Sequence, residues 1–246
     1  MRVCWFSAGV SSFVAALLSK PDKVIYIDID DQHPDSMRFV LDCEEALGRE
    51  IEVLRSPYGS VGNACRSFGF IASAYGAKCT DVLKKRVRKE WESQQAEPLT
   101  HIWGMDCTER NRAENICAAM PRNKHEFPLI DEMLNKADAH GICAIRGVKR
   151  PVMYDFGYSN NNCIACVKGG MGYFNKIRVD FPEAFAARAK LEREIGHSCI
   201  NGVYLDELDP AAGRMSEEII PECGIFCNLA QIRLPLPTVA AEQTRI

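Results

Sequence analysis

The stretch Ser7-Ala8-Gly9-Val10-Ser11-Ser12 has the residue types of an oxyanion cradle. It lies between Arg2-Val3-Cys4-Trp5-Phe6, a short run of β-forming residues, and the Ala- and Leu-rich segment from Phe13 to Leu18, so it reads as a strand-to-helix turn. The first N–H groups of a helix have no partner within the helix, and the helix dipole places about half a positive charge there, so an anion is the natural occupant. Gly9 allows close backbone approach, and the hydroxyls of Ser7, Ser11 and Ser12 can donate to phosphoryl or sulfuryl oxygens. The same pattern also serves a plain helix start with Ser11 or Ser12 as N-cap. No Walker lysine is present, which excludes an ordinary nucleotide-triphosphatase loop.

The second group with chemical capacity is thiol-based. Of the 12 cysteines, Cys4, Cys43, Cys117 and Cys143 sit in apolar strand or helix patterns and are expected to be buried. Cys163 and Cys166 form a CxxC in a Gly- and Asn-rich loop, Cys223 and Cys227 form a second close pair, and Cys79 is a fifth candidate beside a basic run. Four thiolates would suit a structural zinc or an iron–sulfur cluster, and metal-free thiol chemistry with Cys223 as nucleophile is the third option. Spacing alone leaves these three open.

Charged residues surround both groups. Asp30, after the second predicted strand, could take a ribose, a metal or an amine, or could be a solvated turn acid. Arg110 and Arg112 follow a predicted strand ending at Gly104, where a guanidinium fork could hold a phosphate or sulfate or could pair along its own helix. Lys84 and Lys85 lead a basic run through Lys89 that is either a solvated face or a contact for an anionic substrate or a nucleic-acid backbone.

The elements that position these residues follow from periodicity. The chain has 246 residues and a formal charge of −3, which is long enough for one substantial α/β domain and gives no general avidity for nucleic acid. Strands are expected at 2–6, 23–30, 51–54, 100–104 and 124–130. Helices are expected over 34–48 with Met37, Val40, Leu41 and Leu47 inward, over 61–75, from an N-cap at Thr80 with Leu83, Val87 and Trp91 on one face, from Asp131 to His140, and over 182–195 with Ala184, Ala187, Leu191 and Ile195 inward. The segment from Gly141 to Gly170 is turn-rich, and a short strand is expected near Gly202–Leu205. Alternating strands and helices imply a Rossmann-like parallel sheet flanked by helices, residues 1–140, with a Cys-containing C-terminal region, 141–246, packed on it. No apolar run approaches the roughly 18 residues that span a bilayer, and the expected location is cytoplasmic.

Together these residues resemble the phosphoadenosine phosphosulfate (PAPS) reductase family of the adenine-nucleotide alpha-hydrolase superfamily. Ser7 to Ser12 is similar to the family's Ser-Gly-Gly-x-Asp-Ser loop, Asp30 to Pro34 to the acid and proline after its second strand, and Cys79 to Lys85 to its Cys-x-x-x-(Leu/Arg)-Lys element. Gly104 to Arg112 is similar to its Gly-x-x-x-x-Glu-x-x-Arg element, and Glu222-Cys223-Gly224-Ile225 to the tail that carries the sulfur-attacking cysteine. In texture the Asn-rich loop through Tyr173 resembles reductase-like proteins of phages and other mobile elements, including CRISPR loci.

The resemblance implies a nucleotide on Ser7–Ser12, sulfate held by Arg110 or Arg112 and Lys84, attack by Cys223, and a thioredoxin-like reductant. It also implies a 4Fe-4S cluster, or less readily zinc, on cysteines drawn from Cys79, Cys163, Cys166 and Cys227. Three departures set limits. Ser11 stands where ATP-cleaving relatives have Asp, so Mg-assisted ATP cleavage is not implied; Phe226 stands where the reductase tail has His; and Lys78 replaces the first of two adjacent cysteines. The alternatives are an ATP-dependent enzyme that adenylates a nucleic acid or small molecule and transfers sulfur to it, and a nucleotide-binding accessory protein with a structural metal.

Overall fold

The computed structural model describes residues 1–73, 76–200 and 202–214. Period-two alternation builds its sheet. In β1 (Arg2–Phe6), Val3 and Trp5 face one side and Cys4 and Phe6 the other. In β2 (Lys23–Asp28), Ile25 joins the first set, while Val24 and Tyr26 join the second. A strand apolar on both faces needs cover on both. One face is covered by α1 (Val10–Ser19) and α2 (Asp35–Leu47), which contribute Phe13 and Phe39.

After β3 (Ile51–Arg55) the chain forms α3 (Val61–Phe68) and a small antiparallel hairpin, β4 (Ala72–Ser73) and β5 (Gly76–Ala77). A helix from Lys78 opens with a π-turn over Thr80–Lys85 and continues as α4 (Arg86–Ser93), covering the sheet's other face. There Trp91 meets Trp5 edge-on at 5.8 Å. The chain then adds β6 (Thr100–Trp103), α5 (Arg110–Ala119) and β7 (Lys124–Glu126).

All pairings in the five-stranded sheet are parallel, in the order β3-β2-β1-β6-β7. The chain lays β2 and β3 to one side of β1 and then crosses back to lay β6 and β7 to the other. The order therefore reverses at β1/β6, and the crevice at the carboxyl ends of those strands is where such sheets bind ligands.

Beyond β7 come α6 (Pro128–Asp131), α7 (Lys136–Ile145), α8 (Val152–Asp155), α9 (Met171–Asp180) and α10 (Pro182–Ile195). The boundary expected at 140 falls inside α7, whose Ile142 and Cys143 belong to the same core as Phe13 and Phe39. Among the described residues no helix is long and apolar enough to cross a membrane.

Several expectations need correction. In α2 the inward residues are Ser36, Phe39, Val40 and Cys43, whereas Met37 and Leu41 are exposed at 37% and 57%. Both stripes have helical spacing, and the one carrying the aromatic ring is buried. The helix expected over 61–75 stops at Phe68, because Gly69 (φ +59°) forms a left-handed cap. Thr80 is not an N-cap: Lys78 and Cys79 are already helical, although Leu83, Val87 and Trp91 do share the buried face.

The last strand ends at Glu126, since Pro128 opens α6, and α7 starts not at Asp131 but after Asn135, whose side chain accepts the Asp138 N–H. Helix α9 arises in a segment without a strong helical signal, held by buried Phe174 and Ile177. In α10 the buried residues are Arg188, Ala189, Leu191 and Glu192, because two polar side chains find partners inside. The strand expected near Gly202–Leu205 reduces to one bridge between Ile200 and Val203. Cys4, Cys43 and Cys143 are buried as expected, whereas Cys117 is exposed on the outer side of α5.

Candidate anion site and cysteine cluster

The Ser7–Ser12 turn joins β1 to α1 at the carboxyl end of the central strand, beside the β1/β6 crevice. Gly9 is the N-cap, so Ser11 and Ser12 lie within the first turn of α1. Ser12 Oγ organises the loop: it donates to the Gly9 carbonyl at 2.7 Å and accepts the Ser7 N–H at 3.1 Å and the Ser7 hydroxyl at 3.2 Å. A hydroxyl has one proton, so Ser12 has none left for a ligand. Ser11 differs: its buried Oγ has no partner, and among the described residues neither its N–H nor that of Ala8 is hydrogen-bonded. Unpaired donors at a helix start are the property an oxyanion needs.

Three residues outside the motif shape the turn. Ala8 is left-handed (φ +54°), a conformation that costs a non-glycine residue about 1 kcal/mol or more. Asn161, from the Asn-rich loop, donates to the Ala8 carbonyl at 2.7 Å and to Ser36 Oγ at 3.0 Å. The Val10 and Asn161 N–H groups point at Tyr154 Oη, which lies so close over Gly9 that an added Cβ would sit 3.1 Å from it. On the crevice's far side, a Cβ on Gly104 would fall 2.5 Å from Ser12 Cα. Glycine there lets the end of β6 lie directly against the start of α1.

The predicted cations divide. Arg112 donates to Glu109 at 2.6 Å, and Arg110 reaches the Ile130 carbonyl and Met133 Sδ, so both guanidinium groups have protein partners. Asp30 is ion-paired with Arg55, which also holds Asp28 at 3.2 Å. Within the basic run, Arg86 pairs with Asp81 and Arg88 with Glu92, whereas Lys84 and Lys85 point outward without an ion pair among the described residues.

Cys79, Cys163 and Cys166 lie in one region, as anticipated, but in company the spacing did not reveal. Cys65 and Cys163 are buried in a satellite core against which Cys79 and Cys199 also pack. Burial pushes the Cys163 thiol up to about 12 and Cys65 to about 11, and raises Cys79 and Cys199 as well. Among the described residues no three Cys, His, Asp or Glu side chains are arranged to hold a metal ion. Of the cysteines expected to hold a cluster or zinc, Cys163 is buried and Cys79 and Cys166 are half-buried, and Cys223 and Cys227 lie outside the described residues.

The CxxC loop is held by other means. Tyr173 Oη accepts the Cys166 N–H at 3.0 Å and donates to the Cys163 carbonyl at 3.2 Å. Buried Arg188 donates to the Ala165 carbonyl at 3.0 Å and to Asp31 at 2.9 Å. Asp31 in turn accepts the Val61 N–H at 2.7 Å.

Tyr154, Asn161 and Arg188 were not legible as site residues in the sequence. Only Asn161 carried a local sign, its place in the Asn run. A recess of about 660 Å³ opens at the amino end of the sheet, between Lys20, Asp22, Lys23, Arg49, Glu50 and Glu52. Its interleaved charges favour neither sign of ligand. In comparisons with protein-family models, with curated proteins and with solved structures, nothing matches this chain.

Proposed function

We propose that the chain binds an adenine nucleotide with its phosphate or sulfate groups on the Ser7–Ser12 turn and acts as a PAPS reductase-like enzyme. The observation that carries the nucleotide half is the coincidence of a turn with unpaired donors at Ala8 and Ser11 with the β1/β6 switch point, closed on its far side by Gly104. The reductase half rests on the resemblance alone. In it the Cys223 thiolate attacks the sulfur of a sulfonucleotide, the sulfur–oxygen bond to the nucleotide breaks, and a thioredoxin-like dithiol releases sulfite while becoming a disulfide.

The test is incubation of the full chain with PAPS, reduced thioredoxin and, separately, ATP. Sulfite release that is abolished in Cys223→Ser supports the reductase reading. Pyrophosphate release from ATP without sulfite would replace it with the adenylating alternative, for which the unpaired Lys84 and Lys85 offer a nucleic-acid contact. Tight binding of nucleotide with no product would leave an accessory nucleotide-binding protein.

A further inference from the structure

We propose that Lys136 is the cation that takes the outer phosphate or sulfate group of a nucleotide seated on the Ser7–Ser12 turn; this rests on the nucleotide half of the reading above. The turn contains no lysine of its own, and Lys84, Lys85, Arg110 and Arg112 are either exposed or held by protein partners. Lys136, the first residue of α7, is half-buried, and its ammonium has one hydrogen-bond partner, the neutral Asn160 Oδ1 at 3.3 Å. Among the described residues no carboxylate oxygen lies within 4.0 Å of it. Loss of water pulls the Lys136 pKa below its ordinary value, and the more distant Asp106 and Glu109 only partly offset this, with Arg112 opposing them. A desolvated ammonium without a counter-ion is unfavourable, and an oxyanion would supply the missing partner.

Its position fits that role along two lines. Asn160 is the neighbour of Asn161, whose side chain holds the Ala8 carbonyl of the turn at 2.7 Å. One turn further along α7, His140 stands edge-on to Tyr154 at 4.5 Å, and Tyr154 Oη overlies Gly9. The first line starts at the ammonium itself, through its hydrogen bond to Asn160, and the second starts at the helix that carries it. The two devices are complementary, since backbone N–H groups and the Ser11 hydroxyl give direction whereas a lysine gives a mobile point charge.

Calorimetric titration of the full chain with inorganic pyrophosphate and with ATP tests this, alongside hydrogen exchange of the Ser7–Ser12 amides. Lys136→Met and Lys136→Gln should each lose about tenfold or more in affinity for both ligands, equivalent to about 1.4 kcal/mol. Lys136→Arg should retain most of it. Thermal stability of the ligand-free Met variant should equal or exceed that of the wild type, because the removed charge has no ionic partner. The Gln variant, which keeps a polar group for Asn160, guards against a misfolded Met variant. If both variants bind like the wild type while pyrophosphate still protects the Ser7–Ser12 amides, the assignment of Lys136 is overturned and the nucleotide site stands. If neither ligand binds the wild type or protects those amides, the nucleotide reading falls and takes the Lys136 assignment with it.

Discussion

Ala8 concentrates the residue-scale argument. It is a left-handed alanine in a turn where glycine would be unstrained, and Asn161 reaches its carbonyl from 153 residues away in the chain. Asn161→Ala would leave that buried carbonyl without its donor, at a cost of about 1–3 kcal/mol, and would release the constraint on Ala8. Ala8→Gly in the same background should recover nucleotide affinity more than stability, because it relieves the strain without restoring the hydrogen bond. Urea unfolding and ligand titration of the two single variants and the double variant measure both effects. An Asn161→Ala affinity loss that Ala8→Gly leaves unchanged would show that Asn161 does not act through the Ala8 backbone.

At the scale of elements, α10 is fastened to the sheet by a buried charge. Arg188 is 5% exposed and bridges Asp31, beyond the end of β2, to the Ala165 carbonyl in the CxxC loop. Removing one member of such a pair strands the other, typically costing about 3–5 kcal/mol. Arg188→Ala is therefore expected to destabilise the chain by that order in chemical denaturation and to expose Cys65 and Cys163, which share a satellite core with Leu191 of α10. Timed alkylation with mass-spectrometric readout checks the second outcome. Unchanged protection of both thiols would mean that the apolar contacts of α10 suffice without the ion pair. Glu192 works in parallel, accepting the Cys199 and Leu205 N–H groups at 2.5 and 2.6 Å and closing the turn after α10.

For the molecule as a whole, two buried histidines set the response to acid. Burial holds His101 and His140 at about 4, well below their ordinary value. The unfolded chain therefore binds protons near pH 6.5 that the folded chain refuses until about pH 4. Stability present above pH 6.5 is lost as pH falls toward 4, by about 1.4 kcal/mol per pH unit for each histidine. Neither ring nitrogen of His140 has a partner, so His140→Leu should retain stability at neutral pH and flatten this acid slope. His101 accepts the Trp5 indole N–H at 3.0 Å, and its replacement should cost stability at every pH. Denaturation midpoints recorded from pH 4 to 7.5 separate the two.

What the sequence determined by itself is what short-range chemistry determines. The apolar runs Val3–Phe6 and Val24–Tyr26 called for strands covered on both faces, the succession of strand, helix and strand called for a parallel sheet, and the small residues of Ser7–Ser12 called for a turn at the carboxyl end of the first strand. These patterns are legible because a strand or helix selects its own side-chain period before it meets a neighbour. Tertiary structure decided which hydroxyl is spent and which is unpaired, Ser12 or Ser11, because that depends on loop closure over a few ångströms. It also decided the partners that arrive from far along the chain: Asn161 on Ala8, Tyr154 on Gly9, Gly104 against Ser12, and Cys65 and Cys199 beside Cys79 and Cys163. No local pattern encodes such meetings. They follow from the strand order and from how tightly the layers close, and those are properties of the packed chain alone.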